Sequence, residues 1–416
     1  MKNLLALITL LFFISVHSQT LLLPDRVFDG VEVHENWSVL VEGNRITQVG
    51  VRGSLQVPSG TVEISLKGKT LMPGIIEGHS HILLHPYNET SWNDQVLKES
   101  PVERSIRATN HVRESLMAGI TTMRDLGAEG AGYSDVYIKK SIDQGIIPGP
   151  RLIVAGPAIV ATGAYGPKGF HDGVTVPLGA EEASGNDVIS TVRRQIGNGA
   201  DLIKIYADYR WKTGAASQPT FSIEEMKLMV ETAKSAGLYA VAHASTAEGM
   251  RRAIFAGVET IEHGDGATPE IFELMKKNNV ALCATLAAGD AIAQYSGWNK
   301  SSDSEPSRII EKKKSFKAAL DAGVEILFGG DVGVFPHGEN YRELELMVEY
   351  GMKPIMALQA ATAVNARVFH LDNLGLIKTN HLADLIAVEG NPVKDISMMR
   401  DVSLVMKDGV VYKNVN

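Results

Sequence analysis

From about residue 75 onward the chain repeats one texture eight times: a short apolar run, then a segment with helical periodicity. The runs are "LMPGIIEGHSH", "TTMRDL", "PRLIVAG", "DLIKIYA", "YAVAHA", "TIEHG", "ALCATL" and "EILFGGD". Runs this short, bounded by Gly and turn residues, are of strand length. The segments between them carry helix signals. "SIEEMKLMVETAKSAG" opens at Ser222 with Glu225 three residues on, a capping box, and closes at Gly237; "TAEGMRRAIFAG" and "TPEIFELMKKNN" follow the same style. Strands alternating with helices imply right-handed crossovers and a parallel sheet. Eight such units predict an α/β fold, a closed (β/α)8 TIM barrel over residues 75–381. The pattern alone also fits a doubly wound open sheet.

The two ends of the chain read differently. "LLLPDRVFDG", "SVLVEGNRITQVG" and "TVEISLKGKTLMPG" look like short strands joined by Gly and Asn turns, and "ADLIAVEGN", "VSLVMKDGV" and "VYKNVN" return to that texture at the other end. They predict one small β-sandwich domain beside the barrel, built from residues 19–74 and 382–416. With 416 residues, 44% of them hydrophobic, the chain can bury a large core. Length alone would suggest two or three domains at about 150 residues each, an arithmetic to which barrels are the standing exception.

The first residues place a charged Lys2 before an apolar stretch from Leu4 to Val16, then Val16-His17-Ser18 before Gln19. That is a secretory signal pattern over residues 1–18, and its apolar run is shorter than the roughly 20 residues of a membrane span. A periplasmic or secreted protein is expected. The sole cysteine, Cys283, lies far from that junction, which excludes a cysteine-based lipid anchor and an internal disulfide. Forty basic against 48 acidic residues give a net charge of −8, so nothing in the charge balance favours nucleic acid or, once the leader is removed, a membrane. The expected partner is a small-molecule substrate, with further copies of the same chain the one macromolecular partner left open.

In a parallel barrel the carboxyl ends of all the strands open onto one face, where catalytic groups sit. His79 and His81 end the first run, and residues two apart on a strand point to the same side. Lys204 lies inside the fourth run, His243 near the end of the fifth, His263 at the end of the sixth, and Asp331 at the end of the eighth. Taken singly, a histidine at a strand end is ordinarily a hydrogen-bonded core or loop residue, and Asp331 alone would read as a helix cap. Lys204 is harder to dismiss, because a buried ammonium without a partner is penalised by several kcal/mol or deprotonates. Four His, one Lys and one Asp at the ends of five strands point together to a metal site. Imidazole and carboxylate suit zinc, with manganese, cobalt or iron also compatible. A buried lysine readily becomes a nucleophile, and adding carbon dioxide to it gives a carbamate whose two oxygens can bridge two ions. His85 has no strand-end position and is expected in a loop or behind the ligands.

At these residues the chain resembles the amidohydrolase superfamily, and more closely its imidazolonepropionase-like and Xaa-Pro dipeptidase-like branch. "LMPGIIEGHSH", "DLIKIYAD", "AVAHASTAEGMRRAIFAGVETIEHG" and "GGDVG" resemble that family's metal-binding strands, and "ATAVNARVFHLDNLGLIKTNHLADLIAVEGNP" its exit from the barrel. The resemblance implies two divalent ions, most simply Zn2+. One would be held by His79, His81 and Asp331 and the other by His243 and His263, bridged by N6-carboxylated Lys204 and a hydroxide. Asp331 would be the catalytic acid and base. The implied reaction is hydrolysis of an amide or peptide bond in dipeptides or N-acyl amino acids. Two departures bear on substrate. "GAYGPKG" puts Tyr165 where Xaa-Pro dipeptidases carry a histidine, and "PTFS" puts Phe221 where they carry a tyrosine. The candidate substrate contacts are Tyr165, Lys168, Tyr206, Tyr209, Arg210 and His337, with Arg210 or Lys168 paired to a free carboxylate. The segments from Gly156 to Ser184 and from Ala287 to Ser304 read as loops able to cover a small substrate. A lactone or β-lactam hydrolase on the same centre and a non-catalytic exported binding protein are the competing readings. The latter requires a damaged ligand set, and all six positions hold competent ligands.

Overall fold

The computed structural model describes residues 19–415; the expected signal peptide, residues 1–18, lies outside the described residues. Eight strands answer the eight apolar runs: Ile75–Ser80, Ile120–Asp125, Arg151–Val154, Ile203–Tyr206, Ala240–Ala244, Thr260–His263, Ala281–Cys283 and Ile326–Leu327. The first three pair in parallel, and so do the last five. Asp201 joins the two groups, its N–H donating to the Val154 carbonyl at 2.8 Å and its carboxylate accepting from Val154 N at 2.9 Å. The ring closes where Gly78 N donates to Phe328 O (3.1 Å) and His81 N to Val332 O (2.8 Å). That closure makes the sheet a barrel and removes the open-sheet alternative. Every residue of the first, second and fourth strands is buried, as strands covered on both faces require.

Two residues bring the first and eighth strands together. Asn365 Nδ2 donates to both Ile76 O (2.8 Å) and Phe328 O (2.7 Å), clamping one strand to the other. Gly329 lets the backbones approach: a Cβ there would lie 2.5 Å from Cys283 Sγ and 2.8 Å from His79 N. The glycine pair in "EILFGGD" therefore shortens the eighth strand and fixes how near Asp331 comes to the first.

The capping box forms as read. Ser222 Oγ accepts from Glu225 N (3.1 Å), Glu225 Oε2 accepts from Ser222 N (2.9 Å), and the helix runs Ile223–Lys234. One expectation is corrected. Within the segment 287–304, Leu286–Tyr295 is an α-helix, because Leu286 and Ala287 donate their free N–H groups to the buried Glu343 carboxylate at 3.1 and 2.7 Å. The segment 156–184 is irregular apart from two three-residue strands, Ile159–Ala161 and Glu181–Ala183. Among the described residues no helix is long and apolar enough to cross a membrane.

Both chain ends meet in one eight-stranded sheet, with Val62–Pro73 lying between Gln19–Phe28 and Leu385–Glu389. Register shifts in several strands let it curl over its own core of Leu22, Val39, Leu66, Leu385 and Leu404. Its two edges touch: Ala383 N donates to Asn44 O, and Gly409, with φ +74°, packs where a Cβ would overlap Gly43 O. Near this seam Asp384, 4% exposed, accepts from Asp408 N at 2.8 Å while the Arg151 guanidinium lies 3.7 Å away. Burial pushes its carboxyl from 3.8 up to about 6, against the pull of Arg151. The folded state thus binds the proton more tightly than the unfolded chain, so the penalty is absent below about pH 4 and complete above about pH 6. Urea unfolding at each pH should show the unaltered chain losing roughly 3 kcal/mol relative to Asp384→Asn across that window. Parallel profiles would show that the carboxyl titrates normally.

Candidate metal centre

The six residues picked from strand ends come together at the carboxyl mouth of the barrel. His79 is on the first strand and His81 just beyond it, Lys204 on the fourth, His243 on the fifth, His263 ends the sixth, and Asp331 follows the eighth. The His79 ring centroid is 5.4 Å from that of His81 and 5.2 Å from that of His263, and His243 lies 4.5 Å from His263. Asp331 Oδ1 is 3.3 Å from His81 Nε2 and 3.6 Å from His79 Nε2. One donor atom each from His79, His263 and Asp331 lies within 4.8 Å of the others. His263 and Asp331 are non-glycine residues held in the left-handed region, φ +73° and +62°, and so is Thr285 (+52°), which bonds His263. Such strain gathers where a site requires a direction of side chain that regular backbone does not give.

The imidazoles are oriented from behind. His81 Nδ1 is 3.0 Å from the Gly127 carbonyl, which only accepts, so this nitrogen carries a proton and Nε2 is the atom turned to the cluster. His79 Nδ1 faces the Glu262 carboxylate at 2.9 Å, and His263 Nδ1 faces Thr285 Oγ1 at 2.8 Å. Ligating histidines are positioned in this way in metal sites. Asp331 Oδ1, buried and without a hydrogen-bond partner among the described residues, faces the Nε2 atoms of His79 and His81. The residues present fit a divalent-metal site.

Glu262 is itself held by Arg124, whose Nη2 donates to Oε1 at 2.9 Å while Nε donates to Gly78 O at 2.6 Å; both side chains are fully buried. Burial would push the Glu262 carboxyl up, but Arg124 and His79 outweigh it and hold it far below the usual range. Removing one partner of a buried pair leaves an uncompensated charge. Arg124→Met should therefore destabilise the fold by about 3–5 kcal/mol in denaturant titrations. It should also weaken metal binding about 10–100-fold through the loosened His79. A stability change under about 1 kcal/mol would show that Arg124 is replaceable packing.

Burial works against charge on every imidazole. It holds His79 down to about 4 and His243 to about 3, with the Lys204 ammonium adding to both, and keeps His263 well below its usual value. At His81 burial is outweighed by the close Asp331 carboxylate, 3.3 Å from Nε2, and by the charge of Glu129, which lift it to about 9. Burial would also raise Asp331, yet His79, His81 and Lys204 together hold it at about 2. Lys204, 1% exposed, makes no hydrogen bond or ion pair among the described residues, and burial pushes its ammonium toward the neutral amine. His79, His243 and His263 are thus neutral beside an ionised Asp331, the protonation states that ligation requires, while His81 carries a proton that a bound cation would displace.

A cavity of about 600 Å3 opens over this cluster. Four of the expected substrate contacts line it: Tyr165, Tyr206, Tyr209 and Arg210. Tyr206 stacks on His243 with centroids 4.5 Å apart, and Tyr165 sits 4.7 Å from Tyr206. Two do not join them. Lys168 turns back to donate to the Ala164 carbonyl at 3.0 Å. His337 stacks on His111 at 4.3 Å and lines a separate cleft with His85, because the chain turns at Gly333–Val334 and carries residue 337 behind the loop after the first strand. His85 lies between Glu89 and Glu99, away from the ligands. Sequence reasoning overlooked Arg124, Glu262, Glu77 and Glu129. Glu77 ties the first strand to the turn before Asp331, accepting from His79 N (3.0 Å), Gly330 N (2.9 Å) and Asn340 Nδ2 (2.8 Å). The signal was present: Arg124 in "TTMRDL" and Glu262 in "TIEHG" are charges inside apolar strands, the feature that singled out Lys204.

The chain is similar over most of its length to known proteins. The sequence is 31% identical to ochratoxinase of Aspergillus niger over 378 residues, covering 82% of this chain and 75% of the relative. The crystal structure of A. niger ochratoxinase aligns at a TM-score of 0.81 with 27% identity over 96% of each chain. That of a Xaa-Pro dipeptidase with methionine bound in its active site aligns at 0.83 with 32% identity, over 95% of this chain and 100% of the other. The sequence model of the Amidohydrolase family matches residues 70–412, so the chain belongs to the amidohydrolase family and is a hydrolase acting on carbon–nitrogen bonds.

Proposed function

We propose that this chain is a binuclear metal-dependent hydrolase of the amide bond in small substrates, dipeptides or N-acyl amino acids. The observation that carries the reading is the convergence of the Nε2 atoms of His79 and His81 on Asp331 Oδ1, with Lys204 buried close enough to act on their charges. His79, His81 and Asp331 would hold one ion, most simply Zn2+, and His243 and His263 the other, with Lys204 carboxylated between them. Two ions held there would acidify a shared water and polarise the amide carbonyl. Asp331, ionised down to about pH 2, takes the proton of the attacking water and returns it to the leaving amine. Lys204, pushed toward its neutral form, is suited to add carbon dioxide. Tyr165, Tyr206 and Tyr209 wall the substrate, and Arg210 pairs with its free carboxylate. The similar Xaa-Pro dipeptidase supports an amide between amino acids as the scissile bond. The leader of Lys2 and Leu4–Val16 supports action in the periplasm or outside the cell. The test is a library of dipeptides and N-acyl amino acids screened with the zinc-loaded protein, beside metal analysis by mass spectrometry. Turnover of no member, or fewer than one metal per chain, would overturn the proposal.

A further inference from the structure

Glu129 follows the second barrel strand in "RDLGAEG" and lines the cavity over the metal centre, yet none of the roles above uses it. It is 1% exposed and adopts φ +46°, a left-handed conformation that a glutamate has no intrinsic reason to prefer. Its Oε2 accepts from the Trp92 indole N–H at 2.8 Å and the Tyr165 hydroxyl at 3.0 Å. Its Oε1 is buried with no hydrogen-bond partner among the described residues. The Arg104 guanidinium donates to the backbone carbonyls of Leu83, Glu129 and Ala128 at 2.9, 2.6 and 3.4 Å, so among the described residues no Lys or Arg pairs with the carboxylate; the His81 ring, 3.8 Å from Oε1, turns its Nδ1–H to the Gly127 carbonyl instead. A strained backbone thus holds a carboxylate at a cavity wall with one oxygen unbonded and only the His81 ring, at 3.8 Å, near it, an arrangement that a cationic ligand group would complete.

Resting on the amide-hydrolase reading, we propose that Glu129 receives the free α-ammonium group of the substrate, which makes the substrate an unblocked dipeptide and not an N-acyl amino acid. The surroundings suit an ammonium. The rings of Tyr87, Trp92, Tyr165, Tyr206 and Tyr209 line the same cavity, and aromatic faces beside a carboxylate attract an alkylammonium. The reach also fits. Glu129 Oε1 lies 3.8 Å from His81 Nδ1, and His81 Nε2 lies 3.3 Å from Asp331. In a dipeptide the α-nitrogen is only about 2.5 Å from the scissile carbonyl carbon. An ammonium held by Glu129 therefore leaves that carbonyl beside Asp331. Arg210, without a salt bridge among the described residues, lines the same cavity and meets the opposite charge at the other end of a zwitterionic dipeptide.

The experiment compares one dipeptide with its N-acetylated form, the scissile bond unchanged, on the zinc-loaded protein and on Glu129→Gln. The expected result is a preference of about 10²-fold in kcat/KM for the free amine. In Glu129→Gln that preference collapses, with the free dipeptide losing about 10²-fold and the acetylated one changing less than about threefold. If Glu129 only steadies Trp92, Tyr165 or His81, both substrates fall together and the ratio survives; that outcome overturns the assignment. A wild-type enzyme that cleaves the acetylated form as well as the free one also overturns it, while leaving the hydrolase reading intact. Turnover of neither removes both. If the variant does not fold, the wild-type comparison decides, together with inhibition by an amino acid amide against its N-acetyl counterpart: equal inhibition counts against Glu129.

Discussion

On the proposed binuclear reading, Lys204→Ala should lower kcat/KM by at least about 10³-fold and take the metal content from two ions per chain to below one. A bridging ligand would serve both ions, so its loss would weaken both positions, and the several kcal/mol of charge stabilisation that paired ions would supply would go with them. A second consequence separates this from general damage. The Lys204 side chain is 1% exposed and makes no hydrogen bond or ion pair among the described residues, so in metal-free protein it is a burden on the fold. Metal-free Lys204→Ala should therefore unfold at an equal or higher temperature than metal-free native protein, while the order reverses once both are loaded with zinc. Calorimetry on the four samples, with metal analysis on each, reads both effects. Two ions per chain retained by the variant would rule out the bridge, and a variant less stable in the metal-free state would make Lys204 a structural residue.

How far the sequence leads can be seen at particular residues. Strand order was readable because the strands are short apolar runs alternating with helices such as the capped Ile223–Lys234, so local signals and global fold agree, whereas closure rests on the pairing of Gly78 and His81 with residues 328 and 332 across the whole barrel. The ligands were readable because they are charged or imidazole groups placed where such runs end. What lay behind them was not. Glu262 and Arg124 are 138 positions apart, and nothing local announces that they meet under His79. His337 shows the opposite failure: it follows Asp331 closely in sequence, yet the turn at Gly333–Val334 sends it into another cleft. The helix Leu286–Tyr295 was hidden because its N-terminus is capped from a distance by Glu343 instead of by a local Ser or Asp. Side-chain directions after a strand end depend on one or two backbone angles, and His263, Thr285 and Asp331 are all in the left-handed region that propensity disfavours.

That conformation shapes the second large effect. Asp331→Asn should lower kcat by about 10²–10⁴-fold, the usual contribution of a positioned acid and base, with little change in KM. Asparagine tolerates positive φ nearly as well as aspartate and keeps an oxygen in the same place, so backbone and one metal contact survive. What it lacks is a basic oxygen able to accept a proton from water and release it to the amine. Asp331→Ala removes the ligand atom as well and places a less tolerant residue at φ +62°, so it should lose metal and stability together. The two variants therefore separate proton transfer from ligation. Metal analysis should find the Asn variant still loaded and slow, and the Ala variant depleted. His81 supplies an independent reading of the metal-free protein. Its lift to about 9 depends on the Asp331 and Glu129 carboxylates, so its imidazole should titrate lower in Asp331→Asn by NMR. An Asn variant slower by less than about tenfold would place the proton-transferring group elsewhere in the cavity.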